Sequence, residues 1–262
     1  MQRSPRRGKR RPPVARKTGP MHTQPTTMSS PLERGADRRR VTAAALRRTP
    51  FFREVPEGAL APLATVSVRQ VLGHGDVLWE PANAIEAVVV LAGGIVRLYR
   101  DLDNGEEVTV ALLDRGQVCG LAGLDDAFTP TTVAQALVNE TVVYRIPRRP
   151  FADFLLANPT VALRALAEAC RRVQDAYDLL VLPDARARVA YVLAHLATAT
   201  DERTVWATRE ELATLAGVSR EAITRCVLPD LRGRDLIAYE EHQRGIRVRD
   251  RAGLLALPTR GM

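Results

Sequence analysis

Lysine is nearly missing from this chain: it occurs only at positions 9 and 17, so almost all of the 38 basic residues are arginine. The choice of Arg over Lys at any one position therefore carries little information. Aromatic residues are scarce, at 5%. Long apolar runs are absent as well, the longest, Ala87 to Val96, being about half of the roughly 20 residues that a membrane-spanning helix needs. Cys119, Cys170 and Cys226 are far apart and give neither a disulfide framework nor a zinc-ligand spacing. His22, His74, His195 and His242 are equally isolated. No nucleophile stands beside a base, and no paired carboxylates occur in a Gly-rich setting, so the chain does not read as an enzyme. Arg6-Arg7 is followed by no apolar segment, which excludes a secretory signal and makes the cytoplasm, without membrane association, the expected location.

Acidic residues are few at the N-terminus. Residues 1 to 40 hold 12 of the 38 basic residues and 2 of the 30 acidic ones, leaving 26 basic and 28 acidic residues in the remainder. The formal charge of +8 is therefore a property of the tail. With hardly a large apolar side chain, residues 1 to 40 cannot bury enough surface to offset the entropy of ordering, and the reading is a disordered basic tail. Met21 and Met28 are further candidate translation starts beside Met1.

The most informative stretch is Thr208 to Ile237. Thr208 with Glu211 three residues later forms a capping box, so a helix starts at Arg209. Leu212, Leu215 and Ala216 follow at helical spacing, Gly217 permits a sharp turn with Val218 beneath it, and Ser219 caps a second helix. In that helix Ile223, Cys226 and Val227 define an inward face, opposite Arg220, Glu221, Thr224 and Arg225. The outward set suits base edges: Arg pairs bidentately with guanine, and Glu accepts from cytosine N4. A plain helical hairpin with a charged surface has the same spacing. Pro229 should end or kink the second helix near Val227 or Leu228, because its ring clashes with the preceding turn.

The stretch TREELATLAGVSREAITR resembles the DNA-binding helix pair of the cAMP-receptor/FNR family of bacterial transcription regulators, and Ser219-Arg220-Glu221 with Arg225 matches the cAMP-receptor branch. The resemblance implies a homodimer on double-stranded DNA, with Arg220, Glu221 and Arg225 reading bases of a TGTGA-like half-site. Ser219, Thr224, Thr208 and Arg209 stand beside them as further DNA contacts. RNA polymerase becomes a partner if the protein is an activator. No N-terminal Cys cluster of the FNR branch is present.

Upstream, helical fragments around Val41 to Val66 lead into short β runs between Ser67 and Pro147, with a hairpin turn at Asp103-Asn104-Gly105; such strand spacing suggests a sandwich or roll. A long helix from Thr160 to about Leu182 carries Leu163, Leu166, Cys170, Val173, Tyr177 and Leu180 at alternating steps of three and four, the seam of a two-stranded coiled coil. Pro183-Asp184 should break this helix and cap the next, and Leu236–Glu240 with Gly245–Arg249 should form a wing around residues 242–245. The fold class expected is α+β: a cyclic-nucleotide-binding-like jelly roll over 41–158, a dimerisation helix and hinge over 159–183, and a winged helix-turn-helix domain over 184–255, after the tail of residues 1–40.

In the resembled family a Gly-Glu-Leu start holds the ribose of the cyclic nucleotide, and a later Arg-Ser or Arg-Thr pair holds its phosphate. Here Gly120 is kept, Leu121 takes the Glu position, Pro130 and Thr131 take the Arg-Ser positions, and Ala176 and Tyr177 take the places of the adenine-contacting Thr and Ser. The candidate ligand pocket is thus Gly120, Leu121, Ala122, Thr131, Thr132 and Tyr177. No cofactor is expected, cAMP or another cyclic nucleotide being the candidate that the resemblance raises, and metal ligands are absent. A cyclic-nucleotide-responsive regulatory subunit of a non-DNA effector is the alternative, although it has no use for Arg220, Glu221 and Arg225 on one exposed face.

Overall fold

A computed structural model describes residues 39–181, 184–199, 203–240 and 245–257. Residues 1–38 lie outside this range. Arg39–Arg40, read from sequence as the end of the tail, instead form strand β1 and pair antiparallel with Val68 and Arg69. Two tail residues are thereby recruited by an open sheet edge whose backbone groups need partners.

The roll consists of two antiparallel sheets. One runs β1-β2-β9-β4-β7, with β2 Val68–Leu72, β4 Ala87–Gly93, β7 Val118–Cys119 and β9 Thr141–Pro147; the other runs β3-β8-β5-β6, with β3 Val77–Trp79, β5 Val96–Asp101, β6 Glu107–Leu113 and β8 Val133–Ala136. The Asp103-Asn104-Gly105 turn joins β5 to β6 as expected, with Asp101 opposite Glu107. Side chains alternate between faces along each strand, and this alternation builds layers. Val89, Leu91, Val143 and Leu72 from the first sheet meet Val96, Ala111, Leu113, Ala134 and Ala136 from the second, forming the interior of the roll.

Each sheet is also covered on its outer face. Val88, Val90, Val118 and Ile146 pack against helices α1 (Ala43–Arg47), α2 (Glu57–Val66) and α3 (Arg148–Ala157). Phe51, Phe52, Phe151 and Phe154 concentrate there, Phe51 and Phe52 meeting edge to face with centroids 4.9 Å apart. Burial on both faces explains why β4 is an unbroken apolar run, Ala87 to Leu91 being buried throughout. On the second sheet, Ile95 and Leu112 join the core of the C-terminal domain.

Helix α4 spans Pro159–Val181. Val161 and Ala165 bury one side of it against the helical layer, whereas Leu163, Leu166, Val173 and Tyr177 are 61–68% exposed and Cys170 is exposed between them. The side chain of Leu180 lies outside the described residues, as does Pro183. Asp184 caps α5 (Ala185–Leu196) by accepting from the Arg186 N–H. The C-terminal domain adds β10 Thr204–Val205, α6 Arg209–Ala216, β11 Ile237–Tyr239 and β12 Ile246–Val248, with sheet order β10-β12-β11. Among the described residues, no helix is long and apolar enough to cross a membrane.

Candidate nucleic-acid interface

The capping box forms in full: the Glu211 N–H donates to Thr208 Oγ1 at 3.1 Å, and the Thr208 N–H donates to Glu211 Oε2 at 2.6 Å. Leu212 and Leu215 then fix α6 to the core. Gly217 closes the helix at φ +60°, a left-handed conformation that favours glycine, and the Val218 N–H turns back to the Ala213 carbonyl at 3.0 Å. Ser219 starts the second helix by accepting from the Ala222 N–H at 3.2 Å.

The second helix departs from a plain α-helix next to Pro229, where the sequence allowed an end or a kink. It does not end near Pro229: Arg220–Ala222 is α-helical, Ile223–Val227 is a π turn, and Leu228–Gly233 is α-helical again. The Leu228 N–H reaches back five residues to the Ile223 carbonyl. A wider turn just ahead of Pro229 makes room for the ring that would strike the carbonyl four residues earlier in an α-helix, so the chain stays helical. The same widening corrects the inward face. Ile223, Val227, Leu228 and Leu231 are at most 1% exposed, whereas Cys226 is exposed, because a five-residue hydrogen bond moves the buried repeat to i+4 and i+5.

The outward residues stay clear of the core. Arg220, Glu221, Thr224 and Arg225 are exposed, as are Ser219, Thr208 and Arg209. Among the described residues, Arg220 has a loose pair with Glu210 at 3.9 Å between two well-exposed side chains, which holds it weakly. Among the described residues, Glu221 and Arg225 form no ion pair or side-chain hydrogen bond. Thr224 is the exception, its hydroxyl donating to the Arg220 carbonyl at 2.9 Å. The wing strands β11 and β12 pair as expected, although residues 241–244 at its tip lie outside the described range. Arg232 lies over the Tyr239 ring at 5.1 Å, fixing the second helix to the wing.

In the sensor, Gly120 has φ +83° and opens the turn Leu121–Leu124; a Cβ there would stand 2.9 Å from the Ala87 carbonyl. Leu121 packs on the helical layer outside the first sheet. Ala122, Thr131 and Tyr177 are exposed and Thr132 is half-buried. Among the described residues, no hydrogen bond or ion pair links these six residues to one another. What the sequence reading missed is the charge beside the turn: Cys119 is buried and its thiol is pushed up to about 12 by burial, while Arg172 from α4 and Arg145 from β9 act on it in the opposite sense. Their separation in sequence hides this convergence.

Residues 69–158 match the family description "Cyclic nucleotide-binding domain", and residues 187–257 match "Crp-like helix-turn-helix domain". A protein named "Cyclic AMP receptor protein" from Thermus thermophilus is 32% identical over 160 residues, 60% of this chain and 74% of the relative. The chain belongs to the CRP/FNR family of transcription regulators. A "Probable transcriptional regulator flp" from Lacticaseibacillus casei is 27% identical over 67% of this CRP/FNR regulator and 82% of its own length. The solved structure of FixK2 from Bradyrhizobium japonicum shares the fold, with a TM-score of 0.59 at 21% identity over 72% of this chain and 96% of that one. As a CRP/FNR regulator with a helix-turn-helix DNA-binding domain, the protein is not an enzyme.

Proposed function

We propose that this CRP/FNR regulator acts as a homodimer that reads a palindromic, TGTGA-like site on double-stranded DNA. The observation carrying this reading is the exposed set Arg220, Glu221 and Arg225 on a helix whose opposite side is held in the core by Ile223, Val227, Leu228 and Leu231. Arg220 and Arg225 meet guanines and Glu221 a cytosine, while Ser219, Thr224, Thr208 and Arg209 contact the flanking backbone or base edges. Dimerisation runs through residues 160–182, supported by the apolar stripe Leu163, Leu166, Val173 and Tyr177 that the single chain leaves in solvent. Two recognition helices related by a two-fold axis place half-sites about one helical turn, roughly 34 Å, apart. The boundaries that follow are a sensor over 41–158, a dimer helix and hinge over 159–183, and a DNA-binding domain over 184–255. Cytoplasmic location and, for an activator, contact with RNA polymerase belong to the same reading.

The sensor takes no cAMP through the family's usual contacts. Leu121, Pro130 and Thr131 hold the positions of the ribose acid and the phosphate pair, and backbone N–H groups alone do not replace an Arg to a phosphate. DNA binding therefore persists without cAMP. Selection of bound DNA from a random pool, with and without cyclic nucleotides, tests both halves: a preferred site lacking two-fold symmetry, or selection only when cAMP is present, overturns the corresponding half.

A further inference from the structure

The recognition helix is one residue longer between its anchors than its apolar pattern requires. Its buried side chains are Ile223, Val227, Leu228 and Leu231, at steps of four, five and eight from Ile223. A core-facing α-helix buries at steps of three, four and seven. Removing any single residue between Ile223 and Val227 converts the first pattern into the second. The helix therefore carries one inserted residue, and the π turn over Ile223–Val227 takes it up.

Both sides of this turn are held independently of it. Upstream, Ser219 caps the helix by accepting from the Ala222 N–H at 3.2 Å, and Ile223 is fully buried. Downstream, Leu228 and Leu231 enter the domain core, and Arg232 stacks over Tyr239 of the wing. Asp230 accepts from Arg234 Nε at 2.8 Å and lies 3.7 Å from Arg186 of α5. With both halves fixed, the extra length goes outward. Thr224, Arg225 and Cys226 are three exposed residues in succession between buried Ile223 and Val227, where the regular pattern leaves two.

Arg220 and Glu221 stand ahead of the π turn, and Arg225 stands within it. A turn that holds more residues separates successive side chains by a smaller angle, so Arg225 leaves the helix in a different direction relative to Arg220 and Glu221 than it would from an α-helix. We propose that the inserted residue is a specificity device: it sets which base pair Arg225 meets, independently of Arg220 and Glu221, and it brings position 226 onto the reading face. Pro229 opposes loss of the turn, since its ring would strike the carbonyl four residues earlier once α-helical winding returned. The inference rests on the base-reading role proposed for Arg225.

Binding of the full-length protein to single-base variants of its selected site, at one salt concentration, tests it, with Arg225→Ala identifying the base pair that Arg225 reads. Deleting Cys226 together with Pro229→Ala restores the regular apolar pattern. That variant should move or erase the roughly tenfold preference at the Arg225 base pair and leave the preferences read through Arg220 and Glu221 in place. Pro229→Ala alone keeps the insertion and should keep every preference. Arg225→Ala combined with Cys226→Arg changes exposed positions only, so it decides the matter should the deletion variant fail to fold: the guanine preference should move to an adjacent base pair with the unfolding midpoint unchanged. The proposal is overturned by unaltered preference in the deletion variant, by a uniform loss there at all base pairs, or by the same shift from Pro229→Ala alone. It is equally overturned if the relocated arginine selects no guanine or destabilises the fold. Should Arg225→Ala itself leave every base preference intact, the base-reading role fails and this inference with it, an outcome distinct from the others.

Discussion

The two ends of this regulator treat their functional residues in opposite ways. At the DNA end the polar groups of interest sit on one short segment, are exposed, and are oriented by caps that neighbouring residues supply. In the sensor the candidate pocket positions carry apolar or partly exposed side chains, while the charged groups inside it are the buried Arg97 and the half-buried Arg145 and Arg172, far apart in sequence. A reading surface built on one helix can be specified locally. A pocket cannot, because its walls come from strands and helices that only the fold brings together.

The largest effect should come from the apolar stripe of α4 proposed as the dimer seam. Leu166→Asp with Val173→Asp introduces charge into the exposed apolar stripe of α4, and we expect monomers by sedimentation and loss of specific DNA binding by more than about a hundredfold. A variant that stays dimeric would place the interface elsewhere. Next come the proposed base readers: Arg220→Ala and Glu221→Ala should each cost about 1–3 kcal/mol at one base pair per half-site, and at different positions, when binding is measured across a panel of single-base variants. A uniform loss would mean contact with phosphate only, and would erase the contrast between the two ends. Smaller still is the cap. Thr208→Ala should lower stability by about 1 kcal/mol in denaturant melts, with a small loss of DNA affinity from the contact proposed for its hydroxyl. Deleting residues 1 to 38 should have the mildest consequence, a shallower dependence of log affinity on log salt with the same preferred sequence, as expected of basic residues that meet phosphate. A changed preference would make the tail a base reader.

The cap at Thr208, the turn at Gly217, the cap at Ser219 and the Asp103-Asn104-Gly105 hairpin were legible because each depends on residues within a few positions of one another. A sandwich or roll was legible in strand spacing, the jelly roll itself in the family resemblance, and the exposed stripe of α4 in its periodicity. Pro229 showed the limit of local rules. Its ring conflicts with an α-helix, but the sequence does not say whether the conflict is resolved by stopping or by widening the turn; the burial of Leu228 and Leu231 in the domain core favours continuing. Cys226 followed from the same choice and faces solvent.

By itself, then, the sequence determined where the helices of the reading head begin and that Arg220, Glu221, Thr224 and Arg225 turn outward, because capping, turn chemistry and hydrophobic period act over three or four residues. Only the tertiary structure decided that Arg39–Arg40 complete a sheet edge, that a π turn carries the recognition helix past Pro229, and that Arg97 lies buried with an unpartnered N–H at the junction of sensor and DNA-binding domain. Those outcomes depend on which surfaces meet, and the meeting is settled by the burial of whole faces rather than by any neighbour along the chain.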